Sequence, residues 1–446
     1  MNASDRAIAN SDIAKYQKQF DANPHYKILQ NAATMAPVSQ LAIRRDIAVQ
    51  ANQAFSTHLD SWIATNQKKS GRCWAFAGLN LLRIGSIKKL KVKSFELSQN
   101  YLMFWDKFEK SNWFLEAMIE TADRHYDDRT VHYLLAKPSH DGGQWNMFAD
   151  LVKKYGLVPQ NIMPETESSS NSGLMNQALK EELVQAAIQI RHMKKDGESD
   201  AGCRQYKQNI LTTIYRILCI HLGTPPTTFD WQWMDKDRKF NRDGEHTTHS
   251  FAEQYLSLDL SDYYCLVNDP RNEYGKTYTV DYLGCVKEGA KVTYLNVDIE
   301  LMKSITQQTL EEGEAVWMGC DVSKQLSQKF ALWDKDLFDY GSVYDSPRNM
   351  TKADRLRHRQ SQMTHAMLFT GVDVLNGKPR CWRVENSWGV KSGHKGFYQM
   401  NDNWFDEYML EIAAHKKYIP AELLKAFDEE PTLLPAWDPM GALAEG

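Results

Sequence analysis

The stretch that leads into Cys73 is the first part of this sequence whose residues could perform chemistry. It reads Gln67-Lys-Lys-Ser-Gly-Arg-Cys73-Trp-Ala-Phe76, and apolar residues at helical spacing follow, so Cys73 is predicted at the start of a helix. A helix N-terminus carries about half a positive charge, which favours the nucleophilic thiolate. The Gln67 side-chain amide could form an oxyanion hole with the Cys73 N–H. The alternative is a buried structural cysteine.

A histidine and an asparagine near the C-terminal end form the second candidate group. His365 stands before an apolar β-type run, and Asn386 follows another, with Asn376-Gly377 between them as a predicted hairpin turn. A two-residue turn sets position 365 opposite 388, whereas a four-residue turn at 374–377 sets it opposite 386. Either register brings the Asn386 amide within reach of His365, where it can fix the imidazole tautomer while Trp388 excludes water. The alternative is a core histidine beside a cross-strand polar residue.

The elements that must position these residues change character along the chain. Helical patterns are predicted over 73–90, 99–122, 145–155 and 174–220. Short β-type runs are predicted over 292–297, 315–322, 366–374, 380–385 and 397–400. The serine-rich Ser168–Gly173 is predicted to be a surface linker. The order favours an α+β architecture with a helical lobe, an antiparallel β lobe and a cleft between them.

Length and composition exclude several classes of protein. The chain has 446 residues, of which 42% are hydrophobic and 25% charged, so it has material for a large folded core. Its net charge of −4 gives no bulk attraction to nucleic acid or to an anionic membrane. The start is polar, without a signal peptide, and no apolar run is long enough to span a bilayer. Seven widely spaced cysteines without a CxxC pair argue against a zinc ribbon or disulfide framework and favour a reducing, cytoplasmic location.

Taken together, the ordered Gln67, Cys73, His365 and Asn386 motifs resemble the papain superfamily and, more narrowly, the bleomycin hydrolase and aminopeptidase C family. Arg72 precedes the cysteine, and 292 residues separate Cys73 from His365, against roughly 130–150 in papain-type enzymes. The extra length, mostly about 165–280, corresponds to that family's helical insertion. The ending Ala436-Trp-Asp-Pro-Met-Gly-Ala-Leu-Ala444 resembles the family's C-terminal arm.

The resemblance implies a papain-like fold with a helical lobe, an antiparallel β-barrel lobe, a large helical insertion and two terminal arms. The implied divisions are an N-terminal arm at 1–60, a helical lobe with the nucleophile at 61–165, an insertion at 166–280, a β-rich lobe at 281–430 and a C-terminal arm at 431–446. It also implies a homohexamer whose active sites face a central channel.

A catalytic mechanism is implied as well. Cys73 attacks the scissile carbonyl and forms an acyl-enzyme. His365, as an imidazolium, pairs with the Cys73 thiolate, then protonates the leaving amine and later activates the deacylating water. Asn386 orients His365, and Gln67 with the Cys73 N–H stabilises the oxyanion. Neither a metal nor an organic cofactor is needed. Gly142 and Gly143 match a glycine pair whose backbone lines the substrate channel, although a plain turn is the alternative.

Specificity is expected to depend on the C-terminal arm. In the resembled family the terminal carboxylate, here that of Ala444, faces the free amino group of a peptide substrate inside the cleft. Glu445 and Gly446 follow Ala444 in this chain, so we expect self-trimming, unless the tail bulges or the arm is displaced. The sequence therefore predicts a cysteine aminopeptidase with peptide substrates, and bleomycin-type amide hydrolysis as a related activity.

Several alternatives stay open at this point. An endopeptidase of the same fold would result if the extended tail displaced the arm. Two alternatives come from other functional classes. One is a channel-forming binding protein with a vestigial site, and the filled catalytic positions argue against it. The other is a Cys–His acyltransferase, and the glycine pair and the arm argue against it because they favour a peptide substrate. Basic runs such as Lys88-Lys-Leu-Lys-Val-Lys93 are short, so binding of nucleic acid is not expected, and neither is a membrane partner.

Overall fold

α-Helices dominate the chain before about residue 260, and strands dominate after it. The computed structural model describes residues 7–59 and 62–445, with the backbone alone for Ala444 and Glu445. The helices in these ranges are α1 Asn10–Asp21, α2 Pro24–Ala33, α3 Ser39–Ala42, α4 Arg45–Ala48, α5 Cys73–Leu90, α6 Gln99–Glu120, α7 Arg129–Ala136, α8 Trp145–Tyr155, α9 Glu167–Ser170, α10 Gly173–Lys195, α11 Asp200–Leu222, α12 Thr248–Tyr255, α13 Ile299–Glu311, α14 Tyr340–Tyr344, α15 Lys352–Arg357, α16 Asp402–Tyr408 and α17 Ala421–Leu424.

The strands form one large sheet and a separate hairpin. They are β1 Thr57–His58, β2 Thr228–Met234, β3 Phe240–Thr247, β4 Tyr263–Val267, β5 Thr277–Val280, β6 Tyr294–Asn296, β7 Val316–Cys320, β8 Leu326–Ser327, β9 Leu332–Trp333, β10 His365–Leu375, β11 Lys378–Glu385, β12 Phe397–Asn401, β13 Met409–His415 and β14 Thr432–Leu434. The order in the large sheet is β14-β5-β6-β4-β13-β7-β10-β11-β12-β9-β8, with β1 on β10, and β2 pairs with β3.

The large sheet is mixed, which corrects the expectation of a purely antiparallel one. In the centre of the sheet, neighbouring strands are antiparallel in the order β4, β13, β7, β10, β11 and β12. Three other pairs, β14–β5, β6–β4 and β12–β9, run parallel. Parallel neighbours arise because the chain leaves the sheet after one strand and returns by a long connection. Strands β4 and β5 belong to this sheet although they lie in the segment predicted as the insertion. Closure of the sheet into a barrel stays a prediction.

The helical predictions are largely confirmed. Helices α5 and α8 have the predicted bounds, and α6 ends two residues early. The region 174–220 forms two helices because Gly197 adopts φ 88° and Ser199 caps α11 through its side chain. Helix α5 is buried on almost every side, since it packs between α6, α8 and the sheet strands β7 and β10. Among the helices in the described ranges, none is long and apolar enough to cross a membrane.

The β10–β11 hairpin has the two-residue turn that was one of the two alternatives. Asn376 and Gly377 both have positive φ, 53° and 76°, as a type I′ turn requires, and Leu375 pairs with Lys378. Two bulges follow, one with Thr370 unpaired on β10 and one with Arg380 unpaired on β11. Each strand has one extra residue, so the two register shifts cancel. Beyond the second bulge the strands again pair in the register that the turn sets.

Ser168–Gly173 was predicted to be a surface linker, and this prediction is wrong. Ser169 and Ser172 are buried, and the segment forms α9 and the start of α10. The Ser169 hydroxyl donates to Glu165 and that of Ser172 to Asp141, so small polar residues are needed to satisfy buried carboxylates.

Candidate active site

Cys73 is the first residue of α5 and lies against the start of β10. Its side chain is buried, and the backbone N–H of Ala366 points at its Sγ at 3.5 Å. Burial raises the pKa of the Cys73 thiol to about 11, and backbone N–H groups that lower it, including that of Ala366, do not compensate. Burial and the backbone N–H groups at the start of the helix therefore act on this thiol in opposite directions, and the thiolate expected from the sequence stays a prediction.

His365 is bound to Asn386, as either hairpin register predicted. The His365 Nε2 lies 2.9 Å from the Asn386 Oδ1, and both side chains are buried. An amide oxygen can only accept, so Nε2 carries the proton and Nδ1 is left as an acceptor. Burial lowers the pKa of His365 to about 4, against the opposite effect of the bond to Asn386. The Trp388 ring is 5.1 Å from the His365 ring, centroid to centroid, and shields this pair.

Gln67 joins the loop before Cys73 to the segment after Asn386. Its Nε2 donates to the Ser70 carbonyl at 2.7 Å, and its Oε1 accepts from the Ser387 hydroxyl at 2.6 Å. Its backbone N–H also donates to the Ser387 carbonyl at 2.8 Å. The amide is thus fixed in position, with one N–H bonded to Ser70 and the other still available.

Asp141 is a hub that sequence reasoning missed. Its carboxylate accepts from the Gly71 N–H at 3.0 Å and from the Asn176 amide at 2.8 Å, and it pairs with Lys107 at 2.8 Å. Ser172 donates to it as well. Although burial acts in the other direction, Lys107 and these hydrogen bonds hold the pKa of Asp141 well below its usual range. One carboxylate therefore fixes the loop before Cys73 to α6 and α10.

The glycine pair packs on the residue next to the nucleophile. The Trp74 indole N–H donates to the Asp141 carbonyl at 2.7 Å, and a Cβ at Gly143 would lie 2.4 Å from the Trp74 ring. The Gly142 carbonyl accepts from Lys110. Close packing against Trp74 is therefore a sufficient reason for glycine at 143.

Two buried ion pairs hold the surroundings of the nucleophile. Arg72 forms a bidentate pair with Glu165 at 2.9 and 2.7 Å. Arg83 of α5 donates to Glu385 of β11 at 2.6 Å, and the Trp62 indole N–H donates to the same carboxylate at 2.6 Å. The sequence signal was a charged residue inside an otherwise apolar helix or strand, since such a charge needs a partner.

The C-terminal segment contacts residues next to His365 and next to the glycine pair. Its last described turn is the 3₁₀ helix Pro439–Glu445. The N–H of Met363, two residues before His365, donates to the Pro439 carbonyl at 3.2 Å. The amide of Gln144, which follows the glycine pair, donates to the Met440 carbonyl at 3.3 Å. Met440 and Leu443 share the core that contains Cys73.

Ala444 lies only partly within the described residues. The Ala444 backbone belongs to that 3₁₀ helix, but its side chain and Gly446 lie outside the described residues. Within residues 7–59 and 62–445, no group of three or more His, Cys, Asp or Glu side chains could hold a metal ion.

The chain and its fold match those of a known family. A model of the Peptidase C1-like family matches residues 7–441, and the chain belongs to that family. Human bleomycin hydrolase is 39% identical over 99% of this chain and 100% of its own length. Aminopeptidase C of Lactobacillus delbrueckii subsp. lactis is 38% identical over 98% of this chain and 99% of its own. The crystal structure of PepW from Lactobacillus rhamnosis HN001 (DR20) has a TM-score of 0.96 and 42% identity, and covers 98% of this chain and 99% of that one.

These similarities confirm the resemblance predicted from the sequence. They also confirm the prediction of a cysteine peptidase related to the aminopeptidases. The roles of individual residues, the domain divisions and the homohexamer remain predictions.

Proposed function

We propose that this protein is a cysteine aminopeptidase that removes N-terminal residues from peptides through an acyl-enzyme on Cys73. Support comes from the contact between Met363 and Pro439, because Met363 is two residues before His365 in the sequence. An arm in that place leaves room for substrate on one side of the nucleophile and obstructs the other. The relatives named aminopeptidase C are in agreement with this activity.

The reaction begins with transfer of the Cys73 thiol proton to His365, which gives the thiolate–imidazolium pair. Since Asn386 holds the proton on Nε2, His365 Nδ1 takes the thiol proton, and the sulfur then attacks the carbonyl carbon. That proton then passes to the leaving amine. A water that gives its proton to His365 hydrolyses the thioester and restores the free thiol.

The oxyanion is stabilised by two donors. In this mechanism the second Gln67 N–H and the Cys73 backbone N–H donate to the carbonyl oxygen of the substrate. The bonds of Gln67 to Ser70 and Ser387 hold its amide in place beforehand. The backbone at Gly142 and Gly143 lies along the peptide.

Recognition of the substrate's free amino group is assigned to the end of the arm. Once Glu445 and Gly446 are removed, the carboxylate of Ala444 is the anion that pairs with the substrate ammonium. We propose that the enzyme removes these two residues itself, on the hypothesis that the tail enters the cleft and binds there as a substrate does. Intact-mass measurement tests this: active wild-type protein should end at Ala444, and a Cys73→Ala variant should keep Gly446. A tail that stays full length in active enzyme would contradict it.

The activity is tested with one aminoacyl amide in its free and N-acetylated forms. We expect turnover of the free amine only, and none with Cys73→Ala. Cleavage of the acetylated form at a similar rate would mean that the arm does not guard the cleft. Bleomycin is a further amide to assay, since the human and mouse relatives are named bleomycin hydrolase.

The endopeptidase alternative has no specific support. It requires the two added residues to displace the arm, whereas Asp438, Met440 and Leu443 are buried in the described structure.

We further propose a homohexamer, located in the cytoplasm. Helices α1 and α2 bury no residue in the described chain and expose Ile13, Tyr16 and Ile28, which suits contact with another copy. Light scattering should give about six times 51.4 kDa. A monomeric mass at micromolar concentration would rule the hexamer out.

A further inference from the structure

We propose that the buried ion pair between Arg271 and Asp438 is the clasp that holds the C-terminal arm in the cleft, and so sets the requirement for a free substrate N-terminus. The second part of this statement rests on the function proposed above. The first part, that the pair holds the arm, can be tested without it.

The clasp joins the arm to the large sheet at the point where the arm turns into the cleft. Arg271 lies between β4 and β5, and its Nη2 is 2.8 Å from Asp438 Oδ1. The side chains are only 13% and 7% exposed. Just before this point, β14 of the arm pairs with β5, with Leu434 opposite Val280. Strand pairing therefore brings the arm to the sheet, and the ion pair fixes the next turn.

Asp438 does two things with one oxygen. Its Oδ1 accepts from Arg271 and also from the backbone N–H of Met440 at 3.0 Å. The second bond caps the start of the 3₁₀ helix Pro439–Glu445, whose first N–H groups lack partners within the helix. Loss of this carboxylate would thus loosen both the attachment and the turn that enters the cleft.

Arg271 is held in place before the arm binds. Asp269 accepts from Arg271 Nε at 2.8 Å and from Nη2 at 2.6 Å, and Asp269 is itself bound by Asn272 at 2.9 Å. Although burial acts against it, the bonds to Asp269 and Asp438 raise the pKa of Arg271 above its ordinary value. The guanidinium therefore stays charged and oriented whether or not the arm is docked.

This arrangement predicts unequal effects for the two partners. Without the Asp438 carboxylate, Arg271 still forms its ion pair with Asp269, so no buried charge near the sheet lacks a partner. Without Arg271, two buried carboxylates face each other with no cation between them, and their repulsion pushes the arm away. Hence Arg271→Met should release the arm more than Asp438→Asn.

The other described contacts of the arm are weaker in kind. The bonds to the Pro439 and Met440 carbonyls are neutral, at 3.2 to 3.4 Å. The exposed Arg359 guanidinium donates to the Trp437 carbonyl at 3.3 Å, where water screens its charge. The half-buried Trp437 ring lies over the Arg129 guanidinium at 3.8 Å, a contact that water screens in part. Met440 and Leu443 add apolar burial but fix no direction.

The experiment compares Asp438→Asn and Arg271→Met with Lys291→Met in the full-length protein. Lys291 is a matched control because it pairs with Glu430 at the base of the arm, at 2.8 Å, with both side chains exposed. Hydrogen exchange of the backbone amides at 437–443 reports on the arm itself. We expect it to rise at least about tenfold in Asp438→Asn and about a hundredfold in Arg271→Met, and to stay unchanged in Lys291→Met. Unchanged exchange in both clasp variants would overturn the inference.

Hydrolysis of the N-acetylated amide is the second readout, with a chain that ends at Ala436 as reference. We expect the shortened chain and both clasp variants to gain this activity in the same order as their exchange. If the shortened chain gains it and the clasp variants do not, the clasp inference is wrong. If the shortened chain also rejects the acetylated amide, the proposed guarding function is wrong, while the exchange data still decide whether the ion pair holds the arm. Far-UV circular dichroism checks that each variant is folded. If Arg271→Met does not fold, the isosteric variant Asp438→Asn alone decides the test.

Discussion

Arg83 and Glu385 form a buried ion pair, with 2.6 Å between Arg83 Nη2 and Glu385 Oε1. Arg83 is on the helix that begins with Cys73, and Glu385 directly precedes Asn386. The pair therefore connects the element that carries the proposed nucleophile with the one that carries the residue bound to His365. It is a fixed point across the cleft, far from solvent.

Glu385→Gln should reduce stability markedly. The change leaves Arg83 as a buried cation without its anion, which costs about 3–5 kcal/mol in comparable cases. Urea unfolding followed by tryptophan fluorescence measures the loss. Asp46→Asn, which removes the exposed pair with Arg44, is the control and should leave the midpoint unchanged. A loss for Glu385→Gln no larger than for the control would contradict the assigned role.

Replacement of Asn386 should act on rate rather than on binding. Asn386→Ala removes the acceptor that holds the proton on His365 Nε2, so kcat should fall about a hundredfold with a small change in KM. Asn386→Asp places a negative charge beside the imidazole and should raise its pKa, which moves the acidic limb of the kcat/KM profile to higher pH. An acidic limb at the same pH in both proteins would argue against this contact in the active enzyme.

Gly143→Ala should lower both stability and activity. The new Cβ would lie 2.4 Å from the Trp74 ring, and that ring is one residue from Cys73, so the nucleophile must move. We expect kcat/KM to fall about tenfold or more. Gly173→Ala is a matched control, since a Cβ there meets nothing within 4 Å. Equal effects of the two substitutions would show that Trp74 can adjust.

Glu411 should make stability depend on pH. Both of its carboxylate oxygens are buried without a hydrogen-bond partner among the described residues, and burial raises its pKa to about 8 from 4.5. The folded state therefore holds a proton that the unfolded state loses between these values, so wild-type stability falls as pH rises through this window. In Glu411→Gln the side chain is neutral throughout. Its stability relative to wild type should grow from pH 5 to pH 8, by at most about 1.4 kcal/mol per pH unit.

Urea titrations of both proteins at pH 5, 6.5 and 8 measure this difference, and the pH 5 pair is the internal control. A difference that is the same at all three pH values would show that Glu411 is ionised or solvated in the folded protein.

Sequence patterns predicted the parts of the molecule whose cause is local. Helices α5 and α8 follow from apolar spacing, and the contact of His365 with Asn386 follows from alternation in a hairpin. The choice between two turn lengths stayed open, because either one brings Asn386 within reach of His365. The compensating bulges at Thr370 and Arg380 leave no local signal in the sequence. The parallel strand pairs depend on partners distant in sequence and were missed for the same reason.

Polar residues in buried places explain the other failures. Ser168–Gly173 has a loop-like composition, but its hydroxyls complete the hydrogen bonding of Glu165 and Asp141. Arg83 and Glu385 are 302 residues apart, so neither could be matched to its partner from spacing.

The C-terminal arm belongs to the same polypeptide as the cleft that we propose it enters. Its effective concentration at that site is therefore fixed by the tether and does not fall when the protein is diluted. A competing ligand for that part of the cleft has to overcome an intramolecular equilibrium that is independent of protein concentration. A detached arm peptide would have to be supplied at about millimolar levels to reproduce the same occupancy.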